Sequence, residues 1–129
     1  MNPDQRFDSL IQYWAWFYHF DWQLIRKQIE VESSFNPDAT SGAGAKGLAQ
    51  FEDDTFNEWA KKLGIRNADP YNPDHSVHCE CAYMSWLLQH FGGDMATALA
   101  GYNWGPTRID HGEHWPQSVT DYINKILGG

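Results

Sequence analysis

Apolar residues recur three and four positions apart through most of this chain, and nowhere do they alternate at the period of a strand. That pattern restricts the chain to packed helices. The first stripe is Phe7, Leu10, Ile11, Trp14, Phe17 and Tyr18, which predicts a helix from about Asp8 to Tyr18. Tyr13 and Trp16 fall off the stripe, leaving them to cover another part of the fold or to meet a ligand. The run "LIQYWAWFYHF" is 11 residues long and contains Gln and His. It is too short for a bilayer, which needs about 20 apolar residues. A second helix starts after Asp21, a good N-cap, and stops before Asn36-Pro37. A third follows Asp53 or Asp54, with Phe56, Trp59, Ala60 and Leu63 on one face and Gly64 as its stop. A fourth spans about Asp74 to Phe91, with Val77, Cys81, Met84, Leu88 and Phe91 aligned. A short helix after Asp94 is broken by "YNWGP", and the last covers roughly Val119 to Leu127.

The class is therefore mainly α, in one compact domain over residues 1–129, with no repeat or linker. Seven Trp, six Tyr and seven Phe supply ample core material. The net charge of −8 argues against nucleic acid or an anionic membrane as the main partner. "MNPDQRFDS" lacks a basic segment followed by an apolar one, so no signal peptide is expected. Cys79 and Cys81 sit two apart on a helix, where they diverge, and free thiols suit a reducing compartment.

The segment "KQIEVESSFNP" (27–37) holds two glutamates two positions apart. On a helical wheel Trp22, Leu24, Ile25, Gln28, Ile29, Val31 and Glu32 occupy one half, and Gln23, Arg26, Lys27 and Glu30 the other. Glu30 follows Lys27 by three and Arg26 by four, the spacing of ion pairs on a solvated face. Glu32 lies one turn beyond Ile29 in the apolar arc, at the last turn. Burial and the negative helix end both disfavour its ionised form, the setting of a general acid. The wheel alone leaves open a helix-end glutamate that swings to solvent or bonds a neighbouring turn.

The residues around Glu32 carry a resemblance. "ESSFNPDATSGAGAKGLAQF" (32–51) resembles the signature of the lytic transglycosylase (SLT) family at Glu32, Ser33, Phe35, Asn36, Pro37, Ser41, Gly44, Ala45, Gly47, Leu48 and Gln50. "ALAGYNWGPTRI" (98–109) is similar to the family's Ala-Tyr-Asn-Ala-Gly-Pro block, and "VTDYINKIL" (119–127) to its terminal Tyr-Val helix. The resemblance implies an α+β lysozyme-like fold, related to goose-type lysozyme, with a saccharide cleft. It also implies cleavage of the β-1,4 bond between N-acetylmuramic acid and N-acetylglucosamine in peptidoglycan glycan strands. Glu32 is then the acid that protonates the leaving oxygen and the base that takes the C6 hydroxyl proton, giving a 1,6-anhydro product. Ser41, Gln50, Tyr102, Asn103 and Tyr122 become substrate-binding candidates, and no cofactor or metal is required. Plainer readings stand beside these: Ser41 and Asn103 as turn residues and Gln50 as a loop hydrogen-bonder, while Phe51 and Trp104 are open to stacking on sugar faces or to filling the core.

The chain departs from the family pattern. Trp104 replaces the usual Ala, Thr107 a small residue, and Ser118-Val119 a Glu-Thr pair. Glu52 stands where the family is often hydrophobic and Glu80 where Gly is usual. Either acid near the cleft would let an activated water compete, as in a hydrolytic muramidase; a silent saccharide-binding domain is the third reading. The expected setting is a monomeric phage endolysin or virion-associated enzyme, made in the bacterial cytoplasm and acting on the cell wall.

Two motifs are set aside. "GAGAKG" (42–47) satisfies G-x-G-x-x-G, but a helix rather than a strand precedes it. "HSVHCEC" (75–81) gathers imidazole and thiol, yet His78, Cys79 and Cys81 point apart on a helix.

Overall fold

The computed structural model describes residues 5–128. The first four residues, which open the segment read for a leader, and Gly129 lie outside the described residues. Among the described residues seven helices follow in order: α1 (Asp8–Phe17), α2 (Trp22–Ser33), α3 (Asp53–Leu63), α4 (Pro73–His90), α5 (Met95–Trp104), α6 (Pro106–Asp110) and α7 (Gln117–Leu127). No strand forms among the described residues; two isolated bridges, Thr40 to Lys46 and Lys46 to Phe51, tighten the loop before α3. No helix is long and apolar enough to cross a membrane among those residues.

By compactness the chain divides between Ala82 and Tyr83, within α4. In the first unit, Ile11 and Ala15 of α1, Ile25 and Ile29 of α2, Phe35 and Leu48 of the loop, and Val77 and Cys81 of α4 form one buried cluster. Phe7, Leu10, Trp14 and Tyr18 pack against it. Phe17 departs from its expected role: it is half exposed, because the α1 stripe turns about Ile11 and Ala15 and carries Phe17 past the edge of the core. Tyr13 and Trp16 are exposed too, Trp16 at 74%, so they cover no other part of the fold. The Asp21 carboxylate accepts from the Gln23 backbone N–H at 3.0 Å, the cap its position foretold, worth about 1 kcal/mol.

In the second unit α5 packs on α7, and Leu87, Ala98, Leu99, Val119, Tyr122, Ile123 and Ile126 are buried. "YNWGP" breaks α5 as expected, at its glycine. The helix continues through Trp104 and stops at Gly105, whose φ of 101° ends the helical path. Pro106 then opens α6, a turn of helix the apolar pattern does not show, since it has no buried residue. At Gly101 a Cβ would meet the Leu87 and Phe91 side chains at 3.0 Å, so any larger residue there requires those side chains to shift.

Both cysteines are buried free thiols. Burial pushes the Cys79 thiol up to about 12, and pushes Cys81 well above its ordinary value with the Glu80 carboxyl adding to it. The thiolate is the reactive form, so both should be inert in the native state. At pH 8 a soluble aromatic disulfide reagent is expected to label neither thiol in native protein and both after denaturation; rapid native labelling would show the first-unit core to be open.

Candidate active site

The glutamates of α2 separate as their spacing implies. Glu30 accepts an ion pair from Lys27 at 2.8 Å on a face where both side chains are about 40% exposed. Arg26 instead reaches back to Asp8 of α1 at 2.9 Å and lies over the Phe35 ring at 4.8 Å. Glu32 is half-buried, three residues after fully buried Ile29 and four after fully buried Gln28. It is the α2 carboxylate that continues the core-facing stripe.

The backbone just past Glu32 is unusual. Ser34 and Phe35 both have positive φ, 52° and 62°, and Gln50 joins them at 52°. A non-glycine residue there costs about 1–3 kcal/mol and persists only where surroundings hold it. Phe35 is held on every side. Its ring is 5% exposed in the core cluster, a burial worth about 1.5–3 kcal/mol, and its carbonyl accepts from Arg6 Nη2 at 3.0 Å. Ser33, next to Glu32, donates to the carbonyls of Ile29 at 3.2 Å and Leu48 at 2.8 Å. The Ala49 N–H in turn donates to buried Ser76 Oγ of α4 at 3.2 Å. Leu48 and Ala49 thus strap the end of α2 to α4.

Gly47 makes that strap possible. It has a φ of 80°, and a Cβ there would run into the Pro70 carbonyl with Ser76 Oγ close by. The glycines of "GAGAKG" therefore serve close approach of this loop, and no dinucleotide fold surrounds them.

Glu80 of α4 is the residue that the resemblance flagged as a departure and that now carries most weight. It is fully buried, and neither carboxyl oxygen has a hydrogen-bond partner. Burial raises it well above the ordinary carboxylate value, and the charge of Glu32 raises it further. A carboxyl with no accessible surface cannot draw a proton from bulk water, so Glu80 does not activate one directly. Glu52 is exposed at the start of α3.

The other candidates fall as follows. Ser41 is exposed and its Oγ accepts from the Ala45 N–H at 3.0 Å. Gln50 Nε2 donates to Ala39 O at 3.2 Å and Gly47 O at 3.0 Å, closing the loop on itself. Both therefore brace the loop that follows Glu32. In the second unit Tyr102 is half-buried, its ring 5.4 Å from that of Tyr83, Asn103 is exposed, and Tyr122 is 6% exposed within the α7 face. Phe51 is a core aromatic against Phe56 at 5.8 Å, and Trp104 lies under the Arg108 guanidinium at 5.1 Å. His78 stacks on Trp14 at 3.6 Å and hydrogen-bonds Tyr18 at 3.0 Å, while Cys79 and Cys81 point into the core. Among the described residues no group of three His, Cys, Asp or Glu converges to hold a metal.

With this geometry in place, the chain can be set beside known proteins. Residues 9–122 match the model of the transglycosylase SLT domain. The chain belongs to the SLT transglycosylase family. It is 35% identical over 114 residues to the transglycosylase of Enterobacteria phage PRD1, spanning 86% of this chain and 40% of the relative. It is 30% identical over 128 residues to the peptidoglycan transglycosylase gp16 of Escherichia phage T7, spanning 95% of this chain and 9% of that protein. Its fold matches an inactive mutant of the lytic transglycosylase Slt from Pseudomonas aeruginosa with a TM-score of 0.77 and 27% identity, over 96% of this chain and 21% of that one. The chain thus spans well under half the length of these SLT relatives. The SLT match covers α2, the strap and all three sequence blocks through Tyr122.

Gly47→Ala tests the strap. Strain at positive φ and collision with Pro70 together should cost about 2–4 kcal/mol in urea denaturation. Gly42→Ala, in open space at a φ that any residue adopts, should stay within about 0.5 kcal/mol of wild type. Equal effects of the two would show that the close approach is not what Gly47 provides.

Proposed function

We propose that this chain is a peptidoglycan lytic transglycosylase domain in which Glu32 is the catalytic acid and then base. One observation carries the reading: the SLT match spans the segment holding Glu32, and of α2's two glutamates Glu32 is the one that continues the stripe of buried Gln28 and Ile29. Glu30, by contrast, is committed to Lys27.

In the proposed reaction Glu32 protonates the glycosidic oxygen between N-acetylmuramic acid and N-acetylglucosamine. The electron pair of the breaking C1–O bond goes to the leaving sugar, and the substrate's acetamido group stabilises the positive charge at C1. Glu32, now a carboxylate, takes the proton of the C6 hydroxyl as O6 bonds to C1, giving the 1,6-anhydro end and restoring the acid. One protein carboxyl serves both steps, so no second catalytic carboxylate at glycosidase distance is needed. No cofactor enters.

Ser41, Gln50, Tyr102, Asn103 and Tyr122 are proposed substrate-contact residues on the strength of their motif positions. For Ser41 and Gln50 the loop bonds supply a further role, presenting a rigid edge to the sugar. Residues 1–129 are proposed to act as one catalytic domain and as a monomer. With a net charge of −8, its hold on an anionic wall rests on short-range contacts to glycan strands rather than on attraction at a distance, and nucleic acid is not a partner. The two phage relatives support a role in opening the bacterial cell wall during a phage cycle, as an endolysin or a virion-associated enzyme.

Digestion of purified peptidoglycan with mass analysis of the products is the test. Anhydromuramyl ends are expected, reducing ends would indicate a hydrolytic muramidase, and binding without cleavage a silent domain. Glu32→Gln is expected to lower the rate by about 10³-fold or more with an unchanged melting curve, while Glu30→Gln stays within about two-fold. A fully active Glu32→Gln protein would overturn the mechanism.

A further inference from the structure

Glu80 has no place in the reaction just described, yet it is the most anomalous polar group among the described residues. A fully buried carboxyl with both oxygens lacking a partner is rare, because an unsatisfied buried polar group costs free energy that folding must offset elsewhere. Its location is specific. Glu80 follows Val77 by three residues and precedes Cys81, and both of these belong to the core cluster that Ile25 and Ile29 of α2 enter. Ser76, one turn before Glu80, is tied through Ala49 and Leu48 to Ser33, the neighbour of Glu32. The same strap therefore fixes the ends of α2 and α4 that bear the two acids. The ionisable groups that act here are Glu32 from α2 and, on α4, Cys81, which lies under the influence of Glu80; Tyr18, from the end of α1, faces Cys79 and Cys81. Two carboxylates cannot both be charged in such a place, so the buried one keeps its proton and is a hydrogen-bond donor without an acceptor.

We propose that Glu80 is a positioning residue for Glu32: an un-ionised carboxylic acid that turns its O–H onto the Glu32 carboxylate at the moment Glu32 gives up its proton. The proposal rests on Glu32 being the catalytic acid. The proton balance of the reaction is unchanged. The Glu32 proton goes to the glycosidic oxygen, Glu80 retains its own, and the bond between them lasts until Glu32 takes the C6 hydroxyl proton. A donor aimed at charge that develops only during the reaction lowers the barrier to forming that charge. It also makes Glu32 a stronger acid than burial alone would leave it.

Carbon-13 NMR titration of the glutamate carboxyls in the whole chain is the first test. In wild type, Glu80 is expected to stay protonated throughout the range in which Glu32 titrates. In Glu32→Gln, with the neighbouring charge gone, Glu80 should lose its proton at a lower pH than in wild type. A Glu80 that titrates as an ordinary carboxylate, or whose titration ignores the Glu32 substitution, overturns the proposal. This readout needs no activity, so its failure is distinguishable from failure of the proposed function, which a cleaving Glu32→Gln protein would show. The second test is the pH dependence of peptidoglycan cleavage. Glu80→Leu removes the donor, so the alkaline limb of kcat/KM should move up by about one pH unit and kcat fall about ten-fold. Glu80→Gln, which keeps an N–H donor, should hold the limb within a few tenths of wild type. An unmoved or lowered limb in folded Glu80→Leu would reduce Glu80 to a structural residue, and a poorly folded Glu80→Leu leaves the NMR titration to decide.

Discussion

The turn at Ser34 and Phe35 is the constraint on which the segment around Glu32 depends. Two consecutive residues in the left-handed region cost about 1–3 kcal/mol each, so together they call on more than one contact to hold them. The turn survives because several contacts converge on it. The Phe35 ring is in the core, its carbonyl is bound by Arg6, its outer face is covered by Arg26, and Ser33 hooks Leu48. Release of this turn would free the last turn of α2, and with it the direction in which Glu32 points. Strain beside Glu32 is held here by packing from α1, α2 and the loop together.

A second consequence of that packing is electrostatic. The strap through Leu48 and Ala49 holds α2 and α4 together where each carries a carboxyl. A chain with 17 acidic and 9 basic residues has no shortage of carboxylates at its surface. What is uncommon is one placed wholly in the core, where desolvation outweighs every other influence on its proton. Surface pairs such as Lys27–Glu30 and Lys62–Glu58 are worth at most about 1 kcal/mol, so the behaviour of this acidic protein turns on its buried acid far more than on its exposed ones.

The loop between α2 and α3 shows how one set of polar residues serves structure. Ser41, Gln50 and Thr40 all spend side-chain groups on the loop or on Tyr71, and Lys46 reaches Asp53 at 2.9 Å. A glycine-rich segment of this length would otherwise be mobile. These bonds, with the two isolated bridges, turn it into a shaped edge beside Glu32. The family motif is thus in large part a specification for a loop.

Helices were legible in the sequence because burying one face of a helix leaves a 3.6-residue period, and because caps such as Asp21 and Gly64 act locally. The assignment of Glu30 to solvent and Glu32 to the core side needed only that period. The resemblance in the 32–51 block supplied the family without reference to any contact. Helix α6 escaped, since a short exposed turn has no apolar stripe. Phe17 was misplaced because periodicity shows which residues share a face, and not where the neighbouring helix ends. Burial of Glu80 was invisible for the same reason. Its neighbours in sequence, His78, Cys79 and Cys81, say nothing of α2. By itself the sequence determined the helices, the family and the catalytic candidate, all properties carried by local spacing. Only the tertiary structure decided that a second carboxyl is sealed in beside the first, because desolvation is set by what packs around a group from elsewhere in the chain.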